Sequence, residues 1–317
     1  MKKKILITGA LGQIGSELST SLKNIYGNDN VITSDLKTSN IAQEYLPYET
    51  LDILNRKQLF EVIKKHDISI IYHLGAILSA TGEKNPQLCF DVNMIGLYNV
   101  LEVARELNIK QIICPSSIAV FGPTTPQINT PQQTIIMPKT IYGITKASGE
   151  LLCDYYVQKY KIDIRGLRYP GLISYKSLPG GGTTDYAVEI FYEALQNNFY
   201  KCFLKADTTL PMMYMADAIR GTIELSEADF SKLKNHSNFN FAGISFSCQQ
   251  LASEIKKHLP QFSIEYVPDF RQQIADSWPE SIDDSEARNQ WDWKPEYDLS
   301  KLTLTMLENL KIKLVLS

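Results

Sequence analysis

Residues 4–15 read KILITGALGQIG, an apolar run that breaks into glycines at 9, 12 and 15 and opens directly into QIGSELSTSLKNIYG, an amphipathic stretch. A strand that ends on glycines and passes straight into a helix makes a tight turn. The free amides of the helix's first turn then face outward, where a pyrophosphate can sit. The spacing is G-x-x-G-x-x-G rather than the commoner G-x-G-x-x-G, so the motif in isolation also fits a plain glycine-rich turn. Asp35 ends the next apolar run, NVITSD, twenty residues beyond Gly15. An acid at that distance accepts hydrogen bonds from the adenosine ribose hydroxyls and repels a 2′-phosphate, which favours NAD over NADP; the alternative is a helix cap or a solvated loop acid.

Outward from this turn the alternation continues through KQLFEVIKKH, ISIIYHLGA, NVLEVARELN, QIICPSS, GELLCDYYVQKY and IDIRGLRYP. Continuous apolar strands between amphipathic helices imply an α/β fold, a Rossmann doubly wound parallel sheet covered on both faces. Residues 1–170 are expected to form this NAD-binding Rossmann domain. After Pro170 the pattern changes to a Gly/Pro-rich loop, SYKSLPGGGTTDY, a helix AVEIFYEALQNN and shorter mixed elements. Residues 171–317 are therefore expected to be mainly a smaller C-terminal substrate-binding lobe, with segments near 205–245 returning to the Rossmann domain and NFNFAGISFS reading as one strand.

A chain of 317 residues with 44% hydrophobic and 21% charged residues can bury a full core. Its net charge of −3 gives no general attraction to nucleic acid or anionic lipid, and the one cationic run, Lys2 to Lys4, is confined to the N-terminus. No stretch approaches the roughly 18 apolar residues of a membrane span, and the N-terminal apolar run is interrupted by glycines rather than followed by a cleavage site. Cys89, Cys114, Cys153, Cys202 and Cys248 are scattered without C-x-x-C spacing, and the four histidines form no H-E-x-x-H. A soluble, cytoplasmic protein with reduced thiols and no catalytic metal is expected.

The stretch TIYGITKASGE, residues 140–150, places Tyr142 and Lys146 four apart in a helical pattern and so on one face. An ammonium beside a phenol stabilises the phenolate, and a bound oxidised nicotinamide adds a second positive charge, so the phenol becomes a usable base. Upstream, CPSSIAVFG sets Ser117 at a strand end, where a hydroxyl can hydrogen-bond a reacting oxygen. A Tyr-x-x-x-Lys pair alone is commonly a structural accident; in order behind the glycine turn, Asp35 and Ser117, it forms a set. Asp52 in LDILNR either faces the adenine or caps the following helix. In GGGTTDY, Thr183 and Thr184 precede a helix where hydroxyls and free amides suit a carboxylate, and Gly180 to Gly182 could let the loop close; the alternative is N-capping by Thr184 or Asp185.

The segments TGALGQIG, HLGA (73–76), NMIGLYNVLEVAR (93–105), PSSIAVFG, YGITK and LRYPG resemble the extended branch of the short-chain dehydrogenase/reductase superfamily over nearly the whole chain. That resemblance implies Ser117, Tyr142 and Lys146 as catalytic residues. It also implies NAD contacts at Gly9, Gly12, Gln13, Ile14, Gly15, Asp35, Asp52, Ile53, Leu74, Gly75, Ala76, Asn93, Tyr142, Lys146 and Tyr169. Sugar-nucleotide enzymes of this branch carry an arginine for the diphosphate in a segment that here reads LPMMYMAD, with Leu210 at the arginine position and Asp217 retained. A leucine cannot replace a bidentate cation, which disfavours a nucleotide-sugar substrate.

GAILSATGEKNP, SYKSLPGGGTTDYAVEIFYEAL, LPMMYMADAIRG and WPESIDDSEA are similar to the short-chain type of NAD-dependent L-threonine 3-dehydrogenases. The resemblance implies an oxidoreductase that converts the threonine β-hydroxyl to a ketone, giving 2-amino-3-oxobutyrate, with Ser117 standing where some members have threonine. Substrate contacts would come from Ser79, Ser117, Tyr142, Thr183, Thr184, Asp185 as ammonium partner, and Trp278, which covers the substrate or packs between lobes. It also implies a homodimer through helices near 90–106 and 142–160, although DVNMIGLYNVLEVA equally suits a core face. A sugar-nucleotide epimerase or reductase, or a non-catalytic NAD-sensing protein, are the competing expectations.

Overall fold

The computed structural model describes residues 3–316 except 39, 179 and 181. Strands β1 (Ile5–Thr8), β2 (Val31–Asp35), β3 (Tyr48–Thr50), β4 (Ile70–His73), β5 (Gln111–Ile113), β6 (Ser116–Ser117) and β7 (Asp163–Arg165) occupy the first half, and all but β6 form one parallel sheet in the order β3-β2-β1-β4-β5-β7. Helices α1 (Gln13–Tyr26), α2 (Arg56–Lys65), α3 (Ser79–Lys84), α4 (Pro86–Phe90), α5 (Gly96–Glu106) and α6 (Ile141–Tyr160) connect them. The polar edge strand β3 has no apolar pattern of its own and forms because it pairs with β2.

Strand β1 explains why its sequence is apolar without interruption. Ile5 and Ile7 point into a core shared with Leu18 and Leu22 of α1, while Leu6 points to the opposite face with residues of α2, α5 and α6 such as Leu59, Val100 and Tyr156. Successive side chains of a strand alternate faces, and here each face has its own helical cover. The outer faces of α5 and α6, expected at a dimer interface, leave Tyr98, Leu151 and Tyr155 exposed in the single chain.

The later elements are β8 (Leu167–Tyr169), β9 (Gly171–Ile173), β10 (Phe199–Cys202), β11 (Thr209–Tyr214), β12 (Phe239–Asn240), β13 (Ile244–Ser247) and β14 (Ser263–Tyr266). Helices α7 (Tyr186–Asn197), α8 (Met215–Glu227), α9 (Cys248–His258), α10 (Arg271–Ala275), α11 (Ser285–Trp291) and α12 (Leu299–Leu316) alternate with them. The stretch NFNFAGISFS forms two strands rather than one: β12 runs parallel to β8, while β13 runs antiparallel to β11. The split follows burial, because Phe239 and Phe241 enter the core beneath α1 and α8, whereas Phe246 enters a separate core built with α7, α9 and α12. No helix among the described residues is long and apolar enough to cross a membrane.

Leu210 lies on β11 opposite Phe246 of β13 and is fully buried. An arginine there would place an unpaired cation in a dry core, so Leu210→Arg should cost more than about 3 kcal/mol, read as a lower urea midpoint. A variant as stable as the parent would show that the position opens to solvent.

His73, at the end of β4, is 6% exposed, and its Nδ1 lies 2.9 Å from the Thr8 hydroxyl. Burial, helped by the Lys146 ammonium, pushes its pKa down to about 3. The unfolded chain therefore takes up this proton first as pH falls below about 6.5, and the stability present above that pH is lost progressively toward pH 3. His73→Asn should remove up to about 1.4 kcal/mol per pH unit from the slope of unfolding free energy between roughly pH 6 and 4.5. An unaltered slope in urea titrations across that range would exclude His73 as its source.

Candidate active site

The C-terminal ends of β1, β4 and β6 open into a cleft of ≈ 210 Å³ that also reaches residues 182–185 and Trp278. One wall is the turn between β1 and α1. Gly9 has φ +70°, and a Cβ there would stand 2.7 Å from the backbone nitrogen of Gly75; a Cβ on Gly15 would overlap the carbonyl oxygen of Gly9. A side chain on Gly15 would push the first turn of α1 off the sheet, and one on Gly9 would push the glycine turn away from the chain leaving β4. Gly12 is the N-cap and brings no capping side chain, so the amides at the start of α1 keep their capacity for an external anion. A turn stripped of side chains beneath an uncapped helix fits a dinucleotide pyrophosphate, and Gly12, Gln13, Ile14 and Gly15 line the cleft there.

Asp35 sits at the end of β2, and its carboxylate accepts hydrogen bonds from the backbone N–H of Leu11 (3.1 Å) and of Leu36 (2.8 Å). It thereby ties the glycine turn to β2, and a carboxylate has lone pairs beyond those two. Asp52 accepts from the N–H of Leu54 at 2.9 Å, while the cap of α2 is Asn55, which accepts from the N–H of Gln58. Capping is therefore not the role of Asp52. Ile53 packs its terminal methyl toward Gly75 and Gly96.

Leu74 and Ala76 line the cleft; Gly75 lies against Gly9. Asn93 sits in a wide helical turn, Asp91–Ile95, and is turned elsewhere: its amide bonds both the N–H and the carbonyl of Ile77 and the Thr145 hydroxyl. It braces the loop before α3 against α6. Tyr169 borders the cleft, but its hydroxyl is bonded to Thr222, and burial raises its pKa.

Ser117, Tyr142 and Lys146 meet in this cleft. Thr140 caps α6 by accepting the N–H of Gly143, which starts the helix so that Tyr142 enters its first turn. The Lys146 ammonium lies 5.8 Å from the centre of the Tyr142 ring and donates to the carbonyl of Pro115 at 2.9 Å. Ser117 ends β6, and its Oγ accepts the N–H of Ala119 at 3.2 Å, leaving its own proton to donate elsewhere. A phenol, an ammonium and a donating hydroxyl around one space can exchange a proton with an alcohol or carbonyl oxygen.

Ser79, Thr183, Thr184, Asp185 and Trp278 line the same cleft. The Ser79 and Thr183 hydroxyls are 3.3 Å apart. Neither Thr184 nor Asp185 caps α7 through its side chain; the Asp185 carboxylate instead accepts the N–H of Gly182 at 2.7 Å, closing the loop on itself. Gly180 stands beside Leu78, and Gly181 lies outside the described residues. The cleft also takes in His73, Pro115, Ser116 and residues 170–172, which no motif had singled out individually. Among the described residues its basic side chains are Lys146 and His73, the latter kept neutral by burial, and no arginine lines it.

Residues 5–239 match the NAD dependent epimerase/dehydratase family. An uncharacterized epimerase/dehydratase of Staphylococcus aureus (strain USA300) is 46% identical over 314 residues, 98% of either chain. Among solved structures, the holo form of an L-threonine dehydrogenase from Cupriavidus necator is 52% identical, covering 97% of this chain and 99% of that one with a TM-score of 0.95. A monomeric L-threonine 3-dehydrogenase of metagenomic origin, in its apo form, is 51% identical over 98% of this chain and 99% of that one, with a TM-score of 0.95. A match that runs from β1 into β12 takes in the whole parallel sheet and the turn, helix and strand end that meet in the cleft, and the chain belongs to the NAD-dependent epimerase/dehydratase family, with NAD as its cofactor.

Proposed function

We propose that this enzyme oxidises the β-hydroxyl of L-threonine to a ketone, giving 2-amino-3-oxobutyrate. The observation that carries this reading is the composition of the cleft: among the described residues, a Tyr142/Lys146/Ser117 set faces small hydroxyl-bearing residues, one carboxylate and no arginine. Such a wall suits a small zwitterion better than a diphosphate. The two threonine dehydrogenases of about half-identical sequence and near-superimposable fold support it. On this reading residues 1–170 hold mainly the cofactor, and residues 171–317 supply most of the substrate wall.

In the proposed mechanism Tyr142, as the phenolate stabilised by Lys146, takes the proton of the β-hydroxyl. Ser117 keeps its proton and hydrogen-bonds the same oxygen as donor, its own oxygen accepting the Ala119 N–H. Lys146 is held by the Pro115 carbonyl and has two further protons for the phenolate and the cofactor ribose. NAD, when bound across Gly12–Gly15, supplies the hydride acceptor. Asp35, whose carboxylate has lone pairs beyond the Leu11 and Leu36 N–H bonds, would favour it over NADP by accepting from a ribose diol and repelling a 2′-phosphate. Thr183 and Thr184 bind the threonine carboxylate, Ser79 supports Thr183, Asp185 balances the ammonium, and Trp278 excludes water from the reacting carbon.

NADH formation measured across threonine, allo-threonine, serine and 3-hydroxybutyrate should give the highest kcat/KM with threonine. Turnover of 3-hydroxybutyrate without turnover of threonine would remove the amino-acid assignment, and binding of uridine diphosphate would point to a sugar nucleotide. Tyr142→Phe should lower kcat by about 10²–10⁴-fold while NADH affinity, followed by its fluorescence, changes by no more than about twofold. Near-normal turnover of that variant would exclude Tyr142 as the base.

A further inference from the structure

Helix α6 carries a third residue on the stripe that begins with Tyr142 and Lys146. Glu150 follows Lys146 by four positions, is 4% exposed, and accepts the Ser116 hydroxyl at 2.5 Å. Its two oxygens are also gripped by Arg168 of β8, with Nε at 2.9 Å on Oε1 and a terminal nitrogen at 2.8 Å on Oε2. Arg168 is 1% exposed and bonds in turn to the Gln132 carbonyl and the Asn240 side chain, so it cannot swing away. β8 is the parallel partner of β6, with Arg168 beside Ser116 and Tyr169 beside Ser117.

Consecutive stripe residues of α6 thus hold consecutive residues of the strand end. Lys146 takes the Pro115 carbonyl, Glu150 takes the Ser116 hydroxyl, and the next residue is Ser117. The ladder to β8 fixes the path of the strand end. The two bonds from α6, to Pro115 and one residue on to Ser116, tie that path to the helix that carries Tyr142 and so set the Ser117 side chain relative to it.

We propose that Ser116 and Glu150, locked by Arg168, are positioning residues that aim the Ser117 hydroxyl at the reacting oxygen. This rests on the role given to Ser117 under the proposed function. Neither residue needs to touch the reacting atoms. The interaction matters most where the oxygen gathers charge, so it weighs on turnover more than on binding.

The test is Ser116→Ala beside Ser116→Thr. The alanine variant leaves Glu150 paired with both Arg168 bonds and should fold with Tm lowered by about 3–8 °C, with NADH Kd and substrate KM within about twofold, while kcat measured well below that Tm falls about tenfold or more; the threonine variant, which restores the hydroxyl, should regain most of that loss. A Ser116→Ala kcat within about twofold of the parent overturns the proposal. So does a loss of kcat accompanied by an equal weakening of NADH binding, or one that threonine does not restore. Should the parent oxidise an alcohol other than threonine, the comparison is run on that alcohol, which separates failure of the substrate assignment from failure of the positioning pair.

Discussion

The first turn of α1 rests directly on the carbonyl of Gly9, and the cofactor half of the cleft depends on that contact. Because neither Gly9 nor Gly15 has a side chain, the helix axis comes down close to the ends of β1 and β4, and the amides of its open N-terminus face the cleft instead of the loop. Asp35 secures the arrangement from the side through the Leu11 N–H. The same carboxylate that would select the ribose diol therefore also holds the turn on which the pyrophosphate would lie.

The chemical half depends on a different device. In α6 the four-residue spacing serves assembly as well as the cleft: Tyr142 faces the cleft while Lys146 and Glu150 grip the strand end that carries Ser117. Neutral His73 completes the surroundings, since a second cation next to Lys146 would compete for the same electron pairs. The opposite wall of the cleft is built differently, from the loop that Asp185 closes on Gly182 and from the buried Trp278.

Much of this was legible in the sequence, and for a common reason. The glycine turn, the β1 alternation and the Tyr142/Lys146 stripe are local patterns whose spacing equals the period of the element that carries them. What escaped depends on partners far along the chain. Asn93 turns from the cleft because Ile77 and Thr145 take its amide; the Tyr169 hydroxyl is claimed by Thr222; the cap of α2 goes to Asn55 instead of Asp52. NFNFAGISFS divided because its phenylalanines belong to two cores, a fact about tertiary burial that no alternation within ten residues can express. Ser116 is adjacent to Ser117, and only its distance to Glu150, thirty-four positions later, distinguishes it.

The enclosure of Leu210 between β11 and β13 bears on how this lineage could change its chemistry. A recruit to larger anionic substrates would need a guanidinium near the cleft, and at this site the side chain that replaces leucine enters a dry core at a cost in stability. Divergence toward such substrates must first loosen the strand pair or find its charge on the 182–185 loop. On the proposed function, that barrier and the cleft's lining would act together to exclude bulky anions.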